Sequence, residues 1–247
     1  MAITIDAFEL IEKYFTQRKE LYGDNYYMEK SGRLSSFETM EEEPEENIEE
    51  EPEGVMKNWE QIKDLGDFND AVKNCQECLL GRSRTNFVFG VGNPNADLLF
   101  IGEAPGRDED LKGEPFVGRA GKLLDKILGA IDLDRSKVYI ANILKCRPPK
   151  NRDPQTGEIA SCEPYLIHQI KIIKPKLIVA LGRVAAQTLL RSTDTLGNMR
   201  NKIHDYNGTD LMVTYHPAAL LRNPGFKKPT WEDMQKIRDL YLNKSDN

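Results

Sequence analysis

The sequence predicts a three-layer α/β/α fold built on a central, mostly parallel four-stranded sheet. Three observations carry this reading. Four short apolar runs recur after residue 95, a polar loop containing glycine or proline follows each of them, and helical periodicity fills the intervals. No internal repeat interrupts this rhythm.

The first run, ADLLFIG at 96–102, is short, apolar and closed by a glycine, as a strand buried on both faces should be. RAGKLLDKILGAI at 119–131 follows with helical spacing, then VYIANIL at 138–144 as the second strand. IASCEPYLIHQIKII at 159–173 is a helix, LIVALG at 177–182 the third strand, and 183–190 another helix. LMVTYH at 211–216 is the fourth strand, and a last helix spans about 230–242. Ahead of the sheet, Trp59, Ile62, Leu65, Phe68 and Val72 mark a helical stretch. In such sheets ligands lie beyond the carboxyl ends of the strands.

Two domains follow from the charge distribution. The net charge of −6 is uneven: residues 1–56 hold 16 acids and 5 bases, a balance of −11, and residues 57–247 a balance of +5. Nine glutamates occupy the thirteen positions from Glu41 to Glu53. Such a run repels itself and buries nothing, so 1–56 reads as an N-terminal extension, an amphipathic helix at 5–22 followed by a disordered acidic linker. The mildly basic body at 57–247 permits DNA binding without demanding it. The N-terminus lacks a basic region and a cleavage site, and no apolar run reaches the ~18 residues of a membrane span. A cytoplasmic protein is the expectation.

Four loops could carry chemistry. The first runs from Gly102 to Gly118, rich in glycine and proline, with Glu103 and Glu109 in it; composition alone also allows a solvated acidic turn. The second starts at Asn142 and holds Lys145, Arg147, Lys150 and Arg152, stiffened by Pro148 and Pro149, which suits phosphate contact. The third is the Gly182-Arg183 turn. The fourth runs from His216 to Pro224; there Leu220, Leu221 and Arg222 could enter DNA as a wedge, or simply pack on a helix, and His216 could be structural. The cysteines, Cys75, Cys78, Cys146 and Cys162, form C-x2-C and C-x15-C pairs. Zinc and an iron–sulfur cluster both accept four thiolates, so spacing leaves the metal open.

Taken together and in order, GEAPGRDEDLKGEPFVGRAGKLLD, NILKCRPPKNR, the ALG turn and HPAALLR resemble the signatures of the family 4 uracil-DNA glycosylases, over about residues 57–242. The resemblance implies a [4Fe–4S] cluster on Cys75, Cys78, Cys146 and Cys162. It also implies an enzyme of base excision repair that hydrolyses the glycosidic bond of deoxyuridine in single- or double-stranded DNA. Phe116 would stack on the extruded uracil, Asn142 would read its Watson–Crick edge, and His216 would donate to O2. Glu103 or Glu109 would orient the water, with Glu103 favoured. Ala104 stands where family 1 enzymes carry an aspartate. Arg147, Lys150, Arg152 and Leu220 to Arg222 would contact DNA. Neither His168 nor His204 lies in the Arg147–Arg152 loop, so no histidine is placed to trap DNA covalently. The implied enzyme is a nucleoid-associated monomer. Residues 1–56 lie outside the resemblance; their glutamate run could compete with DNA for the basic face or dock a replication or repair protein. The rival readings are a non-catalytic iron–sulfur module that binds or senses damaged DNA, an iron–sulfur electron carrier, and a glycosylase for other deaminated bases.

Overall fold

The computed structural model describes residues 58–245. The amphipathic stretch at 5–22 and the acidic run at 41–53 lie outside the described residues. Asp64 opens the first helix, α1 (Leu65–Val72), by accepting the Gly66 and Asp67 amides, and its apolar face (Leu65, Phe68, Val72) is buried. A one-turn helix, α2 (Leu80–Ser83), follows the first two cysteines. Next come β1 (Val91–Gly92), β2 (Leu98–Gly102), α3 (Arg107–Lys112), α4 (Arg119–Gly129) and β3 (Tyr139–Asn142). The remainder is α5 (Thr156–Ile173), β4 (Leu177–Leu181), α6 (Arg183–Leu190), α7 (Leu196–Met199), β5 (His204–Tyr206), β6 (Thr209–Thr214), α8 (Pro217–Arg222) and α9 (Lys227–Ser245).

The expected α/β architecture is present. The sheet has six strands in the order β1-β3-β2-β4-β6-β5 rather than four. The inner four are mutually parallel, and β1 and β5 add short antiparallel edges. The predicted strands are the inner four, where every residue of β2, β3 and β4 is buried. The two edge strands, with two and three residues, are too short to show a periodicity.

Alternate residues of each inner strand feed two separate cores, which makes the structure three-layered. Leu99, Ile101, Ile178 and Val213 face α1, α5 and α6. Leu98, Phe100, Val179 and Met212 face α4 and α9. Each such side chain, fully buried, contributes about 1.5–3 kcal/mol relative to exposure. Among the described residues no helix is long and apolar enough to cross a membrane.

The chain leaves β2 toward the α4 layer and leaves β4 toward the α6 layer, so a crevice opens between their carboxyl ends. Two expected loops fold further. The stretch after β2 contains α3, and His216 caps α8 where an exposed loop was expected.

Candidate active site

A cavity of about 640 Å³ fills that crevice and reaches the ends of all four parallel strands. Glu103, Ala104 and Phe116 come from the chain after β2, Asn142 from β3, Gly182 and Arg183 from the turn after β4, and Tyr215, His216 and Arg222 from the segment after β6.

Gly102 is the floor on which two of these groups meet. A Cβ there would stand 2.4 Å from Asn142 Oδ1 and 2.7 Å from Phe116 Cζ. Only a residue without a side chain lets the amide and the ring converge. Asn142 is 2% exposed, and its Oδ1 is a buried acceptor without a hydrogen-bond partner among the described residues. Leaving such an atom unpaired costs about 1–3 kcal/mol, and it marks where a ligand's N–H would be gained.

The Phe116 and His216 rings lie 5.3 Å apart and 32° from parallel. Gly182, at φ 92°, lets its turn approach within 2.9 Å of His216 Cβ, measured to where its own Cβ would stand. His216 Nδ1 accepts the Ala218 amide at 3.1 Å, capping α8. That bond places the imidazole proton on Nε2. Burial, helped by the charge of Arg222, pulls the His216 pKa down to about 4, so the ring is neutral at physiological pH.

The two glutamates part ways. Glu103 is pushed up to about 7, chiefly by burial and also by the negative charge of Asp153, while Arg183 and Arg222 oppose the rise. Glu109 Oε1 accepts the Val117 and Gly118 amides, each at 3.0 Å. It therefore holds the start of α4 as well as lining the cavity. Asp153, which pairs with Arg183 at 2.6 Å, is a cavity residue that the sequence reading missed. Its spacing from Glu103 in sequence gives no sign that the two charges face each other.

The sequence model of the uracil DNA glycosylase superfamily matches residues 89–235. The chain belongs to this superfamily. A type-4 uracil-DNA glycosylase of Archaeoglobus fulgidus is 44% identical over 187 residues, covering 72% of this chain and 94% of the relative. That of Saccharolobus solfataricus is 45% identical over 184 residues, 71% and 85% of the two chains. A third, from Sulfurisphaera tokodaii, is 44% identical over 196 residues, 76% and 86%.

The uracil-DNA glycosylase fold also decides which basic and apolar residues face outward. Lys145 is completely buried, its amine donating to the Asn142 carbonyl at 2.9 Å and to Gln169 Oε1 at 2.6 Å. It is not the phosphate contact that its neighbours suggested. Arg152 is committed to a two-pronged bond with the buried Glu158. Arg147 bonds Asn151, and Lys150 is exposed. Leu220 is 3% exposed and Leu221 47%, because consecutive residues of α8 point about 100° apart. Of the three residues named for a wedge, Leu220 is buried and Leu221 and Arg222 are exposed. His168 and His204 hydrogen-bond the Ile62 and Met199 carbonyls, outside the cavity.

The four cysteines meet where α5 packs beside the loop after β3. Cys146 and Cys162 are buried in the core, with Cys75 and Cys78 packed against it. Among the described residues, no three His, Cys, Asp or Glu side chains close around a point as a single metal ion requires. The donor set nevertheless fits an anionic iron–sulfur group. The Lys145 amide points at Cys162 Sγ (3.2 Å), Arg84 at Cys146 Sγ (3.1 Å) and the Tyr165 hydroxyl at Cys75 Sγ (3.2 Å). Donors aimed at sulfur are what thiolates carrying such a group use.

Proposed function

We propose that the protein hydrolyses the N-glycosidic bond of deoxyuridine in DNA, releasing uracil and leaving an abasic site for base excision repair. The observation that carries the reading is the unpartnered Asn142 Oδ1 beside the Phe116 ring and a neutral histidine. A base in a duplex hides its glycosidic bond, so the nucleotide must be extruded, and Leu221 and Arg222 are exposed to occupy the gap. Phe116 stacks on the extruded base. Asn142 Oδ1 accepts the uracil N3–H while its amide donates to O4; cytosine presents the opposite pattern and would leave buried groups unpaired.

As the C1′–N1 bond breaks, the electron pair leaves with uracil. His216 Nε2–H donates to O2 and stabilises that anion without giving up its proton, the role for which a neutral ring is suited. Backbone amides of the Glu103–Gly106 turn add further donors. Glu103 as a carboxylate stabilises the cationic sugar, orients the water whose oxygen bonds C1′ and accepts the proton that this water sheds, while the departing uracil anion is protonated by solvent. Cys75, Cys78, Cys146 and Cys162 would hold a [4Fe–4S] cluster, which would tie the segment after α1 to the Asn142 loop and α5 and would serve structure rather than redox chemistry.

The test is uracil release from a labelled single-uracil oligonucleotide, scored by alkaline cleavage at the abasic site, with a thymine control. Release confined to uracil, and reduced roughly 10²–10³-fold in His216→Ala, is expected. No release by brown, iron-loaded protein would favour a binding module, and release of another deaminated base would redirect the specificity. Cys146→Ser is expected to lose the iron and the brown absorbance.

A further inference from the structure

Phe116 has an unusual backbone for the residue that stacks on the base. Its φ is 54°, in the left-handed region that bulky side chains avoid, yet the ring is only 5% exposed. Something must hold this conformation against relaxation. The amides on its C-terminal side are held by Glu109, which bonds Val117 and Gly118. The carbonyls of Pro115 and Phe116 are held by Arg135, nineteen residues beyond Phe116 on the segment leading into β3. Arg135 Nη1 donates to the Pro115 carbonyl at 3.0 Å, and Nη2 donates to the Phe116 carbonyl. The guanidinium is itself fixed by an ion pair from Nε to Asp125 at 2.7 Å, on α4. Gly121 completes the grip, since a Cβ there would stand 1.7 Å from the Phe116 carbonyl oxygen. The first turn of α4 is thereby pressed against the same peptide.

We infer that Arg135 is a positioning residue for uracil recognition: its fork on the Pro115 and Phe116 carbonyls locks the strained peptide that aims the Phe116 ring. Arg135 touches neither the base nor the sugar in this account. It acts only through the direction of the ring, and a rigid planar fork is the side chain suited to holding two successive carbonyls. The inference rests on the stacking role of Phe116 proposed above.

A double-mutant cycle on the full chain tests it, with uracil release from single-uracil DNA and inhibition by free uracil as the two readouts. Arg135→Gln is expected to lower kcat/KM roughly 10–100-fold and to weaken inhibition by free uracil by a similar factor. In a Phe116→Ala background the same substitution should change either readout by less than about threefold, because the ring it aims is gone. A general loss of structure would instead persist in both backgrounds. Arg135→Lys, which keeps the charge but not the fork, should recover folding stability and only part of the uracil affinity; it serves as the test variant if Arg135→Gln is poorly folded. Equal losses with and without Phe116, or unchanged inhibition by free uracil in the Arg135 variants, overturn the inference while leaving the glycosylase reading intact. Absence of uracil release by the unaltered chain overturns that reading, and this inference with it.

Discussion

Replacing Glu103 with Gln keeps the shape of the side chain and removes the only charge it can carry, so it separates what the carboxylate does for stability from what it does for chemistry. Burial and the nearby Asp153 raise this carboxyl from 4.5 to about 7 in the folded protein. At 1.36 kcal/mol per pH unit, that rise amounts to about 3 kcal/mol between the two forms. The side chain is only partly buried, so solvent screening brings the expected effect to on the order of 1–2 kcal/mol. A carboxyl whose folded pKa lies above its unfolded value contributes stability that is fully present below the unfolded value and is lost as pH rises through the folded one. Relative to Glu103→Gln, the wild type should therefore weaken between about pH 4.5 and 7.

For a body of this size 1 kcal/mol moves Tm by about 2–4 °C, so the variant should melt roughly 2–8 °C higher at pH 8 and within about 2 °C of wild type at pH 4.5. Thermal unfolding by circular dichroism at both pH values measures this. Uracil release gives the other half. Wild-type kcat/KM should rise with an apparent pKa near 7, whereas the variant should lose most of its activity and that rising limb together. His216, neutral down to about pH 4, adds no limb in this range. A variant no more stable than wild type at pH 8, or stabilised equally at both pH values, would refute the account of Glu103 as a carboxylate held at a cost in stability.

Three further substitutions address the cavity and the DNA face. Gly102→Ala places a Cβ against Asn142 Oδ1 and Phe116 Cζ, so uracil release should fall roughly 100-fold while Tm moves by only a few degrees. Leu220→Ala should cost about 2–5 kcal/mol of stability in denaturant unfolding, while Leu221→Ala should stay within about 0.5 kcal/mol of wild type. Leu221→Ala should lose activity on duplex DNA more than on single strands, because a wedge is needed only where a stack must be opened.

The four inner strands were legible because each is a short apolar run bounded by glycine or polar residues, and their observed limits differ from expectation by a few residues at most. The β5–β6 hairpin had a signal that went unread. Asn207 and Gly208, both at positive φ, link Tyr206 to Thr209 in a two-residue turn, and an Asn-Gly pair between alternating residues announces such a turn. Glu103, Phe116, Asn142, Gly182 and His216 could be named from the motifs because each lies at or beyond a strand end, whereas Asp153 could not. Side-chain orientations could not be read either. Lys145 reads as one base among four until the fold turns it inward, and Leu220 and Leu221 look alike until α8 gives them different faces. Arg135 lay outside every motif, because its role depends on a peptide nineteen residues away. Partners that distant leave no local pattern to read.

The order of the strands sets when this cavity can exist as well as where. β2 lies between β3 and β4, and the chain must cross from one side of it to the other before Asn142 and Gly182 flank Glu103. His216 arrives only when β6 has paired with β4. All these pairings are parallel and distant in sequence, the class of contact that forms slowly. A partly folded chain can hold a strand or a helix but not the cavity. Recovery of uracil release during refolding therefore times completion of the whole parallel sheet, and no fragment ending before β6 can report activity.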